Sequence, residues 1–484
     1  MRQKDFIFNI CLLLFLNLLI KPFWVLGIDV GVQNSVGAEQ YGFYFAVFNF
    51  TFLFNMLLDM GITNFNNRNI ARHNQLLSKH ISGIISLKLL LALFYIVVTF
   101  FAAFIIGYEG LQLKILLWAV INQMLNSFIL YLRSNVSALL LFKTDGLLSV
   151  LDRLLMIVIC SIMLWGNILP KPFQIEWFLY AQTAAYLIAA MVALIIVIHK
   201  ATPIRLTWNV RFFRVILRKS FPFAILYLLM SFYNRIDSVM IERLLPESIA
   251  SYQTGIYASV FRLLDALVMI AYLFSVILLP LFSKMLKNKE NLIPIIKSSF
   301  SFLFFFAITT VVILITFRVP ILELLYHDHI QESADVFMIL LPCLIPISFT
   351  YIFGTLLTAN GSMKLLNISA LAGIGVNILV NLLLIPILHA KGAAIASLST
   401  QTVVCVLQVI IAFKTLKIPL KTIPYLKSAI YTALLILGVY IMKNNLDFSL
   451  FYMLTFNLLF AFLLAFITKL IPFSVLKTII LQNK

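Results

Sequence analysis

Gly42-Phe43-Tyr44-Phe45-Ala46-Val47-Phe48-Asn49 returns 213 positions later as Gly255-Ile256-Tyr257-Ala258-Ser259-Val260-Phe261-Arg262, with Gly, Tyr, Val and Phe identical. Four matches in eight weigh little in so apolar a chain. Their weight comes from position, because each copy opens the second apolar run of its half. Working outward, fourteen such runs begin near Phe6, Tyr41, Ile81, Ile115, Gly146, Trp177, Phe221, Gly255, Ser299, Val336, Leu366, Ala393, Ser428 and Leu450. A membrane-spanning helix takes about 20 apolar residues, and the runs meet that length. Six runs separate the two copies, so both enter the membrane with the same orientation. That is a parallel repeat with its axis along the membrane normal, an architecture that places a cavity between two lobes and suits alternating-access carriers.

The composition points the same way. Of 484 residues, 62% are hydrophobic and 11% charged, and mean hydropathy is +1.05. A soluble domain has about 45–50% apolar and about 25% charged residues, so a soluble fold is excluded. The expected fold is an all-α polytopic membrane protein of about 14 helices. It divides into an N-lobe at 1–210 with spans 1–6, a C-lobe at 211–420 with spans 7–12, and a terminal helix pair at 421–484. Met1 to Asp5 and the apolar stretch after them read as the first span rather than a signal peptide, because no small-residue cleavage site follows and Lys21-Pro22 interrupts the run.

Lys and Arg number 36 against 18 Asp and Glu, a formal charge of +18. With the amino terminus inside, 24 of the 36 fall on the cytoplasmic side, six on the opposite side and six within spans. This bias sets both termini in the cytoplasm. One missed or extra helix would invert every later loop and erase it. The excess therefore marks cytoplasmic loops and membrane lipid, and no nucleic-acid partner is expected. The most basic connection, His199 to Ser220, reads as an interfacial amphipathic linker; a second basic linker runs from Lys414 to Lys427.

Ionised side chains inside a span are costly and call for a partner, an escape to the interface, or a function. Lys88, Arg153 and Arg262 lie within about two turns of their run's end, within snorkelling reach. Lys21, Arg133 and Arg235 are placed more deeply and are the candidates for a cationic cavity. Asp237 lies two positions from Arg235, about 200° around a helix, so the two cannot pair locally. Asp237 is a candidate for charge balance or ion coupling. Arg262 and Asp265 share a helix face, where a local ion pair competes with a coupling role. Asp59, with Gly61 and the polar run containing Arg68, reads either as a cytoplasmic gate or as a helix end meeting water.

The four cysteines, Cys11, Cys160, Cys343 and Cys405, sit in apolar runs without CxxC spacing, which disfavours disulfides and zinc. His327-Asp328-His329 has no second ligand pair nearby and reads as an outward loop rather than a metal site. No nucleotide-binding loop, nucleophile elbow or zinc-protease motif is present. Neither enzyme chemistry nor a cofactor or metal is expected.

The stretch Gly373-Ile374-Gly375-Val376-Asn377-Ile378-Leu379-Val380-Asn381-Leu382-Leu383-Leu384-Ile385-Pro386, followed by Gly392-Ala393-Ala394-Ile395-Ala396-Ser397, carries a family resemblance. It resembles the helix 11 to helix 12 signature of Wzx-type polysaccharide flippases in the multidrug/oligosaccharidyl-lipid/polysaccharide (MOP) exporter superfamily, which includes the MATE transporters. Leu58-Asp59-Met60-Gly61, Arg235-Ile236-Asp237, Thr254-Gly255-Ile256-Tyr257 and Ala359-Asn360-Gly361 add to the similarity. The resemblance implies two similar lobes of a bacterial inner-membrane protein. Its cargo would be an undecaprenyl-diphosphate-linked oligosaccharide, carried from the cytoplasmic to the periplasmic leaflet for O-antigen, capsule or a related glycan. It also implies pathway partners, a polysaccharide polymerase and glycosyltransferases. Lys21, Arg133 and Arg235 would then hold the diphosphate or acidic sugars. Two other classes stay open. A cation-coupled drug antiporter of the same superfamily would use embedded acids with fewer deep cations, and a polysaccharide polymerase would carry a large external loop with catalytic Arg or His.

Overall fold

The computed structural model describes residues 16, 17, 19, 20, 22–63, 66, 70, 75–139, 141–166, 172–200, 207–419, 423–445 and 448–470. Lys21, Arg68 and the beginning of the first run lie outside the described residues. Every regular element among the described residues is a helix. Among the described residues twelve stretches are long and apolar enough to cross a membrane, from Leu77–Ile105 to Leu450–Ile467, and they match expected spans 3 to 14. Expected span 2 falls on the helix that ends at Leu53. The fold class read from the sequence is therefore the observed one. Large apolar side chains face outward along the spans, among them Phe104, Ile387 and Phe451, each at least 72% exposed. Rows of this kind suit lipid, and helices suit it too because they satisfy their own backbone polar groups.

The chain separates into two compact units, Met1–Ser259 and Val260–Lys484. In the first, a π-helical turn at Trp24–Asp29 leads into α1 (Val30–Leu53). Gly37 interrupts α1 with φ +82 and ψ 162, and a Cβ there would meet nothing within 4 Å. The requirement for glycine is thus conformational rather than steric. A turn at Phe54 and Asn55 precedes the short α2 (Met56–Asp59), which Met60 and Gly61 close in positive φ. Then come α3 (Leu76–Ile105), α4 (Gly110–Ala138), α5 (Phe142–Trp165), α6 (Ile175–Ile198) and α7 (Val210–Leu244). Glu109 and Gln112 form a reciprocal capping box at the start of α4. Asn209 caps α7, its Oδ1 accepting from the Phe212 N–H at 3.0 Å.

The opening turns of α7 are the basic linker foreseen in the sequence. Phe213 and Ile216 join the core of α3, α4 and α6, and the Phe212 ring lies where Gly83 leaves room on α3. Arg211, Arg214 and Arg218 are exposed on the same turns. The apolar side chains Phe213 and Ile216 thus anchor these turns on the protein core while the arginines stay exposed.

The helix α8 (Glu247–Asn288) runs 42 residues through the boundary between the units. The second unit continues with α9 (Ile293–Thr316), α10 (Arg318–Leu325), α11 (Ile330–Leu340), α12 (Leu344–Ala359), α13 (Met363–Leu388), α14 (Ala390–Leu416), α15 (Tyr425–Asn445) and α16 (Leu450–Ile467). A 3-10 turn at Leu341–Cys343 joins α11 to α12, where Pro342 removes a backbone donor. On α13 and α14, a Cβ at Gly392 would come within 2.5 Å of the Leu384 carbonyl group. The small-residue face thus brings two backbones together, as glycine does between membrane helices. Asn377 and Asn381 are fully buried, and the Asn381 amide donates to Asn377 Oδ1 at 3.1 Å. Phe305, Tyr431, Leu435, Met453 and Ala461 form the core that seats α15 and α16 on α9.

Candidate functional site

Tyr227, Ser231 and Arg235 occupy one face of α7 at four-residue intervals. They meet the end of α1 and the turn beyond it. The Arg235 guanidinium carbon lies 5.4 Å from the centroid of the Phe52 ring, within cation–π range. Tyr227 contacts Ser231 and Asn55 and lies in the fields of Arg235 and Asp59. Two residues beyond Arg235 the face has turned, and Asp237 is buried at 1% exposure, accepting from the Tyr257 hydroxyl at 2.9 Å. Ser238 beside it accepts from the Asn49 amide at 2.9 Å. The separation of Arg235 from Asp237 around the helix is the one their spacing requires.

Asp59, at the end of α2, is held by a residue that the sequence reading had sent to the interface. Lys88 does not snorkel. It stands twelve residues into α3, its side chain is 5% exposed, and its ammonium lies 2.9 Å from Asp59 Oδ1. The Leu58 carbonyl and the Ser127 hydroxyl accept from it at 3.1 Å each, with the Tyr131 ring at 5.7 Å. An ammonium has three protons, and here three oxygens receive them. The Thr63 hydroxyl and backbone N–H donate to Asp59 from the other side. Around Asp59, Lys88 is saturated by three oxygens, and the Arg235 guanidinium lies over the Phe52 ring.

Arg133 is shallower than the apolar run suggested. It lies five residues before the end of α4, and its Nε is 2.9 Å from Asp145 Oδ1 at the start of α5. Arg153 is the deeper of the two, eleven residues into α5. Its guanidinium carbon lies 5.4 Å from the Trp24 ring and 5.8 Å from the Tyr186 ring, with Asp152 at 3.6 Å. A further carboxylate that the sequence reading passed over, Asp29, is buried and accepts from Tyr41 at 2.8 Å. At the end of α7, Glu242 accepts from Gln112 at 2.6 Å and pairs with Arg243 at 2.9 Å, and the Arg243 guanidinium covers the Tyr108 ring at 4.3 Å. Arg262 and Asp265 lie half-buried on α8 within the second unit. No cluster of three metal-ligating side chains occurs among the described residues. Cys160, Cys343 and Cys405 are buried and are not joined in disulfides.

Among solved structures the chain is similar to the lipid II flippase MurJ in an inward closed conformation, with TM-score 0.71 and 15% identity over 96% of this chain and 99% of that one. An inward-facing multidrug-resistance MATE family transporter of the MOP superfamily gives 0.60 at 13% identity, covering 83% and 98%. The Vibrio cholerae MATE transporter VcmN in its bent form gives 0.55 at 14%, covering 86% and 98%. At these identities the likeness is one of fold. No relative among curated protein sequences matches. The profile of a family described as "Polysaccharide biosynthesis protein" matches residues 9–286, more than half the chain and the part that contains the whole Asp59, Lys88 and Arg235 layer. The chain belongs to the polysaccharide biosynthesis protein family, on the fold of the MOP transporters.

Proposed function

We propose that the protein is a flippase for a polyprenyl-diphosphate-linked oligosaccharide, undecaprenyl diphosphate in a bacterial inner membrane, moving it from the cytoplasmic to the periplasmic leaflet. The observation that carries this reading is Arg235, a half-buried guanidinium on α7 that lies over the Phe52 ring, in the part of the chain that matches the family profile. A diphosphate is a strong partner for such a group, because guanidinium presents paired N–H donors to phosphate oxygens and attraction grows as water is excluded. The lipid tail needs no polar site, since the spans already expose apolar side chains to hydrocarbon. Lys21 and Arg133 are further candidates for the head group, although the Asp145 carboxylate already claims part of Arg133. Asp237, Asp265 and Arg262 are candidates for coupling or charge balance, and Asp59 with Arg68 for the cytoplasmic gate.

On this reading both termini face the cytoplasm, and residues 1–210 and 211–420 move against each other as two lobes with 421–484 attached. The substrate-forming glycosyltransferases and a polymerase that consumes the product are the expected partners in the pathway. No bond is made or broken by the chain itself. The direct test is reconstitution of the purified protein in vesicles containing a fluorescent undecaprenyl-diphosphate oligosaccharide, with a membrane-impermeant quencher reporting movement between leaflets. Movement of that lipid, with none for the same oligosaccharide on a neutral lipid, supports the assignment. Equal movement of both would overturn the role of the diphosphate.

A further inference from the structure

Gly42 and Gly255 are equivalent in the 213-residue repeat, and they touch. A Cβ built on Gly42 would fall on the Ser251 carbonyl oxygen and the Gly255 nitrogen, and within 2.8 Å of the Gly255 Cα. One built on Gly255 would fall on the Ala38 carbonyl oxygen, 3.1 Å from the Ala38 Cα. The same shift takes Ala38 to Ser251. The contact is therefore reciprocal: each glycine meets the carbonyl four residues before the other. Reciprocity of this kind is the mark of a two-fold interface, in which residue i meets j and j meets i. Residues related by a two-fold that also touch one another lie on its axis. Backbones this close leave no room for a Cβ, so the contact requires glycine on both sides. The Gln33 amide adds a hydrogen bond to the Gly255 carbonyl at 3.3 Å.

We propose that Gly42 and Gly255 form a closing seam on the axis between α1 and α8, and that this seam parts when the protein opens to the periplasm. The seam rests on the flippase reading for its parting, and on the charge bias for which side is outside. Both glycines lie near the starts of helical segments that enter from one side of the membrane, the periplasmic side on the charge bias. Two turns below Gly42 on the same face of α1 stands Asn49, about 10 Å deeper. It is buried against Ser238 of α7, in the layer the seam would cover. A methyl group at either glycine leaves each helix intact but denies the closed contact, because the opposing atoms are backbone and cannot swing aside.

The test places a single cysteine at Asn49 in a chain without native cysteines and adds a membrane-impermeant maleimide to intact cells. Labelling should be low with both glycines present. It should rise about tenfold in Gly42→Ala and equally in Gly255→Ala, a shift within the usual range for a biased two-state equilibrium. The double variant should rise no further, because one parted seam accommodates both methyl groups. Gly438→Ala, where a Cβ would strike the Phe460 ring in the terminal pair, controls for general loosening. No rise in either variant at normal membrane abundance overturns the seam, as does an equal rise in Gly438→Ala. A rise only in inverted membrane vesicles overturns the opening to the periplasm. No cargo is needed for any arm, so the seam and the substrate assignment fail independently.

Discussion

Removing Arg235 and removing Lys88 should have opposite signatures, because Arg235 is only half-buried over a ring whereas Lys88 is buried and saturated by three oxygens. In Arg235→Ala the fold loses a half-buried cation–π contact with Phe52 at 5.4 Å, worth about 0.5–2 kcal/mol. That corresponds to a few degrees of apparent melting temperature in a unit of this size. The cargo loses more. A unit charge at about 4 Å in a medium of effective dielectric about 20 is worth about 4 kcal/mol, or about 10³ in affinity for an anion. Arg235→Lys keeps the charge without the planar fork and should retain part of the activity. Lys88→Met keeps the length of the side chain but strands Asp59. Breaking a buried pair costs about 3–5 kcal/mol, and we reduce this to about 2–4 because the Asp59 side chain is 26% exposed and recovers some water. Asp59→Asn in the Lys88→Met background should recover part of that loss. The assay is membrane abundance and thermal stability of each variant beside surface glycan in a strain lacking the native protein. Arg235→Ala should give near-normal protein with little glycan, and Lys88→Met little protein with glycan in proportion to it. Normal glycan in Arg235→Ala, or a glycan loss that tracks missing protein, would refute the argument.

Three further outcomes can be checked with purified protein or whole cells. Cysteine at Glu109, exposed before α4, should label from outside intact cells, and cysteine at Lys287 should not; the reverse pattern would overturn the orientation. Gly392→Ala should destabilise by about 1–3 kcal/mol, as close packing of α13 and α14 leaves no room for a methyl group, and an unchanged melting temperature would show that the two backbones can separate freely. Gly37→Ala should cost about 1–3 kcal/mol through its backbone conformation alone, since nothing crowds a Cβ there; a larger side chain such as Leu should cost no more, and a steep dependence on size would point to hidden packing.

The fold was legible because the bilayer writes its requirement directly into hydropathy. A span must be apolar over its whole length, and charged residues collect outside it, so runs and breaks can be counted without any knowledge of packing. The small-residue pattern Gly392 to Ala396 was legible for a related reason. Lipid cannot drive helices together, so close approach needs small side chains, which stand out in sequence. Depth was less legible. The apolar run near Ile81 suggested that Lys88 was within two turns of an end, but α3 begins at Leu76 and is 30 residues long. Such a helix measures about 45 Å, well beyond a hydrocarbon core of about 30 Å. Where a helix outruns the membrane, the edge of an apolar run is a poor marker of the interface, and Arg133 and Arg153 exchanged ranks for that reason.

Partners of buried charges were the least legible part, and the reason lies in where they come from. Arg133 and Asp145 are joined across a tight α4 to α5 connection, so their pairing could have been read from two charges flanking a short turn. Lys88 draws its oxygens from α2, from the Leu58 carbonyl and from α4, which no local spacing relates. Asp237 reaches Tyr257 from the next helix, and Arg235 reaches Phe52 from a helix some 180 positions earlier in the chain. A hydropathy pattern records what each residue costs in lipid, but not which neighbour offsets that cost. The 213-residue repeat closes part of this gap. The contact of Gly42 with Gly255 puts α1 and the start of α8 side by side, and farther along α1 Asn49 and Phe52 meet Ser238 and Arg235 of α7. The positions of Gly42 and Gly255, 213 apart, are the part of that packing which the sequence marks.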